Sequence, residues 1–575
     1  MKTVNEMRYL KNNFHIISLI RNRQLDNENC FFYFKIKMNK IFATIINTFF
    51  FSSLAFAQLT EFSQGDILSA GSMNQNFKYL ESKLGGINET TVNCGTDGNG
   101  HGIKDAIQKG FNSIVINGIC KENIKLDGRE GNVPRLLKLR GANNDYTKDK
   151  IVDNSSYSNH VINVLFDGIL VTLDNLTISG GIRTIRSWGP NIFRIENVKI
   201  DDYKQRGIHM TEGSVIDGYN VIIDGSNNSA DSTERGIWLA LQSYGWFENL
   251  EISNNNWCGL CVYENSQSHL RSSNSFFQNG IGIYVGLSSS LANNSSVSLN
   301  NNIDYGIHIN QGMMLSSEGT NNNITITSTN SGKAFQADFS NIQINGMNLK
   351  GDESTSKSLL TLNRSKGYFS DLTLNNSGND GVESDQSIMY FDNLTSTNNK
   401  GDGVDAFRSN LTIINSSITD NDGQGIGLHN VSNLQLKSSI VSSSKDISIY
   451  VSRNSFFDLS GNSKITSSSK ESIKIDHNGS GRIQSGVSVS SNASNNGWGV
   501  WIRKGGYIEI NSDSTISGNS GSLKGELGTK IDLDYGADVQ SIECGDDNLS
   551  MVILNSSNGS YPTPSVGSNC ISVKY

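Results

Sequence analysis

Proline is scarce in this sequence. Only four of 575 residues are proline, against about 5 % in ordinary proteins. All four (Pro134, Pro190, Pro562, Pro564) lie outside residues 191–561. Proline cannot donate to a strand ladder, so a long proline-free stretch suits strands paired on both edges. The scarcity also argues against disordered tails, which are usually proline-rich. Long apolar runs are missing too, with one short exception. Ile41 to Leu54 is apolar, but too short to cross about 30 Å of hydrocarbon. Met38-Asn39-Lys40 precedes it and Ala55-Phe56-Ala57 follows it. That order predicts a secretory signal over 38–57, with Gln58 as the mature start. Residues 1–37 then read as a non-native upstream extension, with Met38 as the initiator. No transmembrane segment is expected once the signal is removed. The expected location is secreted, periplasmic or at the cell surface.

Positive charge is in deficit. Removing residues 1–57 takes eight of 47 Lys/Arg and three of 55 Asp/Glu, leaving 39 basic against 52 acidic residues, a net charge of −13. This argues against nucleic acid and anionic membranes as partners. Of seven cysteines, six remain beyond Cys30, in close pairs: Cys94/Cys120, Cys258/Cys261 and Cys544/Cys570. An even count in an exported chain predicts disulfides, with the outer pairs clipping the two ends. Cys258/Cys261 is a CxxC without the βαβ context of a redox motif. It reads as a structural pair or as two reduced neighbours.

What is abundant is a repeat. Glycine, an aliphatic residue, any residue and usually a second aliphatic recur at Gly207-Ile208-His209-Met210, Gly236-Ile237-Trp238-Leu239 and Gly259-Leu260-Cys261-Val262. Further copies start at Gly282, Gly306, Gly381, Gly403, Gly425 and Gly499, with weaker ones near Gly332, Ser358, Asp446 and Ser472. Steps of 21 to 29 residues, mostly 22–26, mean stacked units. Each unit is strand-like, with alternating β-branched residues and polar Asn/Ser/Asp/Gly turns. No helical periodicity falls between copies. The solution is a coil of about three short strands stacked in parallel on the next. Some 13–15 such coils at ~4.8 Å spacing would make a rod roughly 60–70 Å long. The two aliphatics point inward and the residue between them outward. The glycine is expected where a tight turn into the strand tolerates no Cβ. Asn254 to Asn256, Asn300 to Asn302, Asn375, Asn376, Asn398, Asn399 and Asn421 precede it and are expected to stack along the axis.

On these repeats, residues 151–520 resemble the right-handed parallel β-helix proteins of the pectin-lyase-like group, of bacterial exported type. The resemblance implies an all-β solenoid. Ile103 to Gln108 would be a capping helix, Ser113 to Gly118 a first strand, and Leu137 to Gly141 and Leu176 to Gly180 early coils. Residues 91–150 would hold the N-terminal cap and first coils, and 521–575 a C-terminal cap. The Gly98-x-Gly100-x-Gly102 run is expected as a loop with no strand before it. Residues 58–90 read as a short helical or stalk segment, in which Met73, Phe77, Leu80 and Leu84 form one stripe. The segment either packs on its own rod or makes a coiled-coil stub of a homotrimer.

The outward positions carry the chemistry. Early copies place Arg206, His209, Arg235, Trp238, Tyr284, Tyr305 and His308 there, and later ones place Asp380, Glu383, Asp402 and Asp405. Flat rings offer stacking surface to sugars, and arginine pairs with uronate carboxylates. The first set is therefore the candidate polysaccharide-binding surface. The carboxylates have three readings: Ca²⁺ ligands, a general acid/base pair for glycoside hydrolysis, or solvated turn residues. Asp402, Asp405, Glu383 and His308 are the candidate catalytic groups. Enzyme signatures of the group are mostly missing. Gly100-His101-Gly102 comes before the rod, Arg482-Ile483 is followed by Gln484, and Asn-Thr-Asp is absent. Three functions remain open: a polysaccharide-binding protein, a polysaccharide lyase or glycoside hydrolase, and a structural adhesin or spike.

Overall fold

The computed structural model describes residues 86–574 except 131–132, 167, 226–233, 317–323, 328–332, 355, 444, 495–496, 546–549 and 556–563. The upstream extension 1–37, the signal 38–57 and the stripe Met73, Phe77, Leu80 and Leu84 lie outside the described residues.

The described chain is all-β apart from one helix, Ile103–Gln108, at the position expected. Successive strands pair in parallel. One stack holds nineteen strands, from Ile124–Asp127 to Ser565–Val566. Its inner file runs Ile185, Ile208, Ile237, Leu260, Ile283 and Ile307 in unbroken register. All six are fully buried. Alternation of period two thus translates directly into continuous inward files of aliphatic side chains. Eighteen steps of ~4.8 Å make this stack roughly 85 Å long. It exceeds the expected rod because both end segments join it. Gly521–Glu526 and Ser541–Cys544 continue the stack, and Ser113–Lys121 belongs to the facing sheet. Disulfides Cys94–Cys120 and Cys544–Cys570 clip the two ends.

The facing strands are longer, as in Leu170–Ser179, Ile192–Asp201 and Val215–Asp224. Each bends at an asparagine in the left-handed region: Asn175 (φ 52), Asn197 (φ 53), Asn220 (φ 51). Asparagine tolerates that region better than other residues with a Cβ. The side chains also bond along the axis, Asn220 Nδ2 donating to Asn197 Oδ1 at 2.9 Å. A second, buried ladder precedes the repeat glycine. Asn255 Nδ2 donates to Asn279 Oδ1 at 2.9 Å, and Asn399 Nδ2 to Asn421 Oδ1 at 2.8 Å. The expected asparagine stacking is present, joined by a serine file the repeat did not announce. The backbone N–H groups of Ser365, Ser387 and Ser409 each donate to the next coil's serine Oγ at 3.1 Å.

The repeat glycines serve a different purpose from the one expected. Gly207, Gly236 and Gly403 do not adopt positive φ. A Cβ on each would instead meet the carbonyl oxygen of the equivalent glycine one coil on, at 2.9 Å from Gly236 O, 2.6 Å from Gly259 O and 2.6 Å from Gly425 O. Close approach between coils, not turn geometry, keeps the position small. A second expectation also changes. A strand, Glu89–Gly100, does precede the helix, pairing with Ser113–Lys121 through register shifts at Gly95 and Gly100.

Glu122 closes the helix start. It is 4 % exposed, and accepts from the backbone N–H of Gly102, of Ile103 at 2.8 Å and of Lys104 at 3.0 Å. Glu122→Ala orphans three donors, so the N-terminal coils should lose about 2–3 kcal/mol in denaturant unfolding, with Glu122→Gln losing less. Equal losses for the two variants would show that packing, not hydrogen bonding, is what Glu122 supplies.

Candidate functional site

Because the two aliphatics of each copy face inward, the residue between them and the residue before the glycine face out. Register places Arg183, Arg206, Arg235, Cys258, Ile281 and Tyr305 in one outward file. Arg186, His209, Trp238, Cys261, Tyr284 and His308 form the next file on the same face. All seven residues expected to bind ligand therefore share one face, on four coils with the Cys258–Val262 coil between them.

The centre of this face is aromatic. The ring centroids of Trp238 and Trp257 are 5.7 Å apart, those of Trp238 and Tyr263 5.4 Å, and those of Trp257 and Tyr284 5.5 Å. Tyr305 stacks on His308 at 4.6 Å. The rings are not free-standing. Cys258 and Cys261, joined to each other and fully buried, form with Ile281 a small second core beneath Trp238, Trp257, Tyr284 and Tyr305. The Arg235 guanidinium lies 4.4 Å from the Trp238 ring centre and 4.1 Å from that of Trp257.

One end of the face is cationic. Arg206 Nη1 lies 3.1 Å from His209 Nε2, and Arg186 Nη1 lies 3.3 Å from His160 Nε2. Burial, then the charge of Arg206, pulls His209 down to about 2. Burial, then Arg183 and Arg186, pulls His160 down to about 4. Both imidazoles are neutral at physiological pH.

The other end is acidic. Glu383 and Asp405 are neighbours across one step of the stack. Asp380 Oδ1 accepts from the Asp402 backbone N–H at 2.7 Å, and Asp402 Oδ1 from that of Gln424 at 2.6 Å. Burial, then the Asp380 charge, pushes Asp402 up to about 7. Burial, then Asp402, Asp380 and Glu383, pushes Asp405 up to about 8. His429 Nε2 sits 3.5 Å from Asp405 Oδ1. The outward file is interrupted there by Gly427, where a Cβ would come within 2.7 Å of Gln424 Oε1, 3.0 Å of His429 Nε2 and 3.1 Å of Asp402 Oδ2. Between the two ends, His308 Nε2 meets Asp338 Oδ2 at 2.9 Å, and Asn363 and Gln336 also donate to that carboxylate. Burial opposes the charge on Asp338, yet these bonds hold it below the usual carboxylate range.

A family model described as the right handed beta helix region matches residues 180–349 and 358–463. The chain is a right-handed β-helix repeat protein. No curated protein matches it. On this β-helix the carboxylates named as Ca²⁺ ligands (Asp380, Glu383, Asp402, Asp405) do not converge. Among the described residues no three His, Cys, Asp or Glu side chains form a group that could hold a metal ion. Backbone N–H groups donate to Asp380 and Asp402, and burial with neighbouring carboxylates favours the neutral forms of Asp402 and Asp405.

The repeat missed Arg183 and Arg186 because Thr184 stands where the glycine would be. The order Arg183-Thr184-Ile185-Arg186 matches Arg206-Gly207-Ile208-His209, and that match was the available signal. Asp338 and His429 lie one residue past the second aliphatic, a position the four-residue pattern does not cover. Trp257 comes from the turn before Cys258, which carries no repeat signature.

Proposed function

We propose that this β-helix is an exported protein that binds extracellular or cell-surface polysaccharide along the outward face of its glycine-headed stack. The observation that carries the reading is the face from Arg183 to His308, on which arginines, Trp238, Tyr284, Tyr305 and histidines stand in register, interrupted by the buried coil of Cys258 and Cys261 that Trp257 and Tyr284 pack over. A polymer lying along the axis would meet a new side chain every ~4.8 Å. That spacing suits a polysaccharide better than a compact small molecule. Aromatic rings and guanidinium forks supply the stacking and the paired hydrogen bonds that sugars and their anionic substituents need.

A glycan-array screen of the protein tests this. Trp238→Ala and Tyr284→Ala should each weaken binding about tenfold or more, as truncated aromatic anchors do. Tyr368→Ala, on the facing sheet, should leave it unchanged. No binding to any acidic or neutral glycan would remove the reading.

The second reading, a polysaccharide lyase or glycoside hydrolase, has its own support. His308 is oriented by Asp338, and Asp405, pushed up by burial and neighbouring carboxylates, lies 3.5 Å from His429 Nε2. Release of unsaturated, ultraviolet-absorbing products from uronate polymers would establish a lyase, and release of reducing ends a hydrolase. The third reading, a structural spike assembled as a homotrimer, is tested by the molecular mass in solution.

A further inference from the structure

Among the described residues the cationic end of the face carries no counter-charge in contact with its arginines. Arg183 and Arg206 are register partners in one outward file, and Arg186 is the register partner of His209 in the next. The charges that act on Arg206 all come from other arginines: Arg183, Arg235 and Arg186. Arg186 likewise opposes the charge on Arg183. Among the described residues no carboxylate pairs with Arg183, Arg186 or Arg206. The Nε atoms of all three, and Nδ1 of His160, are buried without a hydrogen-bond partner. His209 is 8 % exposed. Being neutral, neither imidazole adds to the repulsion or relieves it. Like charges gathered in a half-buried site cost stability, and an uncompensated buried charge is retained chiefly where something else neutralises it.

We propose that Arg183, Arg186 and Arg206 form a receptor for a three-oxygen oxyanion, a sulfate ester group of the bound glycan, with His160 and His209 lining it as neutral donors. The carrier rests on the polysaccharide reading above, whereas the receptor itself does not. The number of forks narrows the group to one with three free oxygens. Three guanidiniums on two adjoining files can each present N–H pairs to a different oxygen of one sulfate. A carboxylate or a phosphodiester offers only two free oxygens and leaves one fork unanswered.

Thermal unfolding of the full chain in sodium sulfate, sodium acetate and sodium chloride, at matched ionic strength, tests the receptor. Sulfate stabilises proteins in general by exclusion from their surfaces, so the comparison is with the double variant Arg183→Met, Arg206→Met. The wild-type protein should gain several degrees more from sulfate than the variant does. Without sulfate, the variant should melt no lower than wild type, because repulsion has been removed. An equal sulfate response in both proteins overturns the receptor. So does a wild-type response to acetate as large as that to sulfate. Should the double variant fail to fold, Arg186→Met alone, with tryptophan fluorescence as readout because Arg186 packs over Trp188 and Arg206 over Trp238, makes the same comparison.

A second arm measures binding to dextran sulfate, polygalacturonate, unmodified dextran and a DNA oligonucleotide. Dextran sulfate should bind at least tenfold more tightly than the others, and the double variant should lose that preference. Equal or tighter binding of polygalacturonate or DNA overturns the choice of sulfate. A sulfate response without binding of any polymer sustains the receptor and removes the glycan reading. Polymer binding that ignores both arginine substitutions does the reverse.

Discussion

At pH 9 the double variant Asp402→Asn, Asp405→Asn should unfold at a higher denaturant concentration than the wild-type protein, by about 3–5 kcal/mol, while at pH 4 the two should differ little. The sign follows from the side to which each acid is displaced. Burial, then neighbouring carboxylates, raises Asp402 from 3.8 to about 7 and Asp405 from 3.8 to about 8. An acid whose folded value is raised stabilises the fold fully below its unfolded value, near 4. That contribution drains away as pH rises from there and is gone once pH passes the folded values of about 7 and 8. Asparagine keeps the shape and cannot ionise, so the variant loses the drain. A tenfold change in an acid's ionisation constant corresponds to about 1.4 kcal/mol, which sets the scale. Buried His209 and His160 act in the opposite sense. Their lowered values cost stability as pH falls below about 6.5. Both proteins carry them, so they cancel in the comparison. If the gap between wild type and variant is the same at pH 4 and pH 9, the two aspartates are solvated and their proposed chemistry fails with them.

Phe391→Ala should remove about 3–5 kcal/mol from the coils around it, the usual cost of emptying a buried aromatic site. Phe391 is fully buried and its ring stacks on Phe369, with centroids 5.4 Å apart. Each coil touches only its neighbours, so the loss should be local. Hydrogen exchange should accelerate across Lys366–Asn375 and Ile388–Thr397 and stay unchanged across Arg206–Thr211. The outward control is Tyr390→Ala. Its ring stacks on Tyr368 at 4.8 Å, but in contact with water, and about 1 kcal/mol is expected. Uniform acceleration along the whole stack would mean that the coils unfold as one cooperative body.

Much of this architecture could be read before any coordinates, for a simple reason. Two periods are superimposed in the chain. Alternation within a strand names the inward residues, and the longer step between copies names their neighbours. Ile208, Ile237, Ile283 and Ile307 are therefore adjacent in space as well as equivalent in sequence. The same logic carried Arg206, His209, Trp238, Tyr284 and His308 onto one face. It failed wherever a position depends on something other than period. Thr184 replaced a glycine and hid the first arginine coil. Trp257 comes from a turn, and turns vary from coil to coil. That the aromatics rest on a cysteine pair could not be read from spacing, because burial on the outer surface depends on what the turns fold over. The glycines were located correctly and explained wrongly. Their constraint is a carbonyl oxygen from a residue two dozen positions away, invisible to reasoning about a residue's own backbone.

That carbonyl contact restricts how such a chain can change over generations. An insertion of one or two residues inside a coil would set a Cβ against the oxygen and break the asparagine and serine files together. A duplication of one complete coil brings its own glycine, asparagine and serine and disturbs neither neighbour. Growth and shortening are thus quantised, each event altering the reach of the molecule by ~4.8 Å while leaving the spacing of the groups on either side intact.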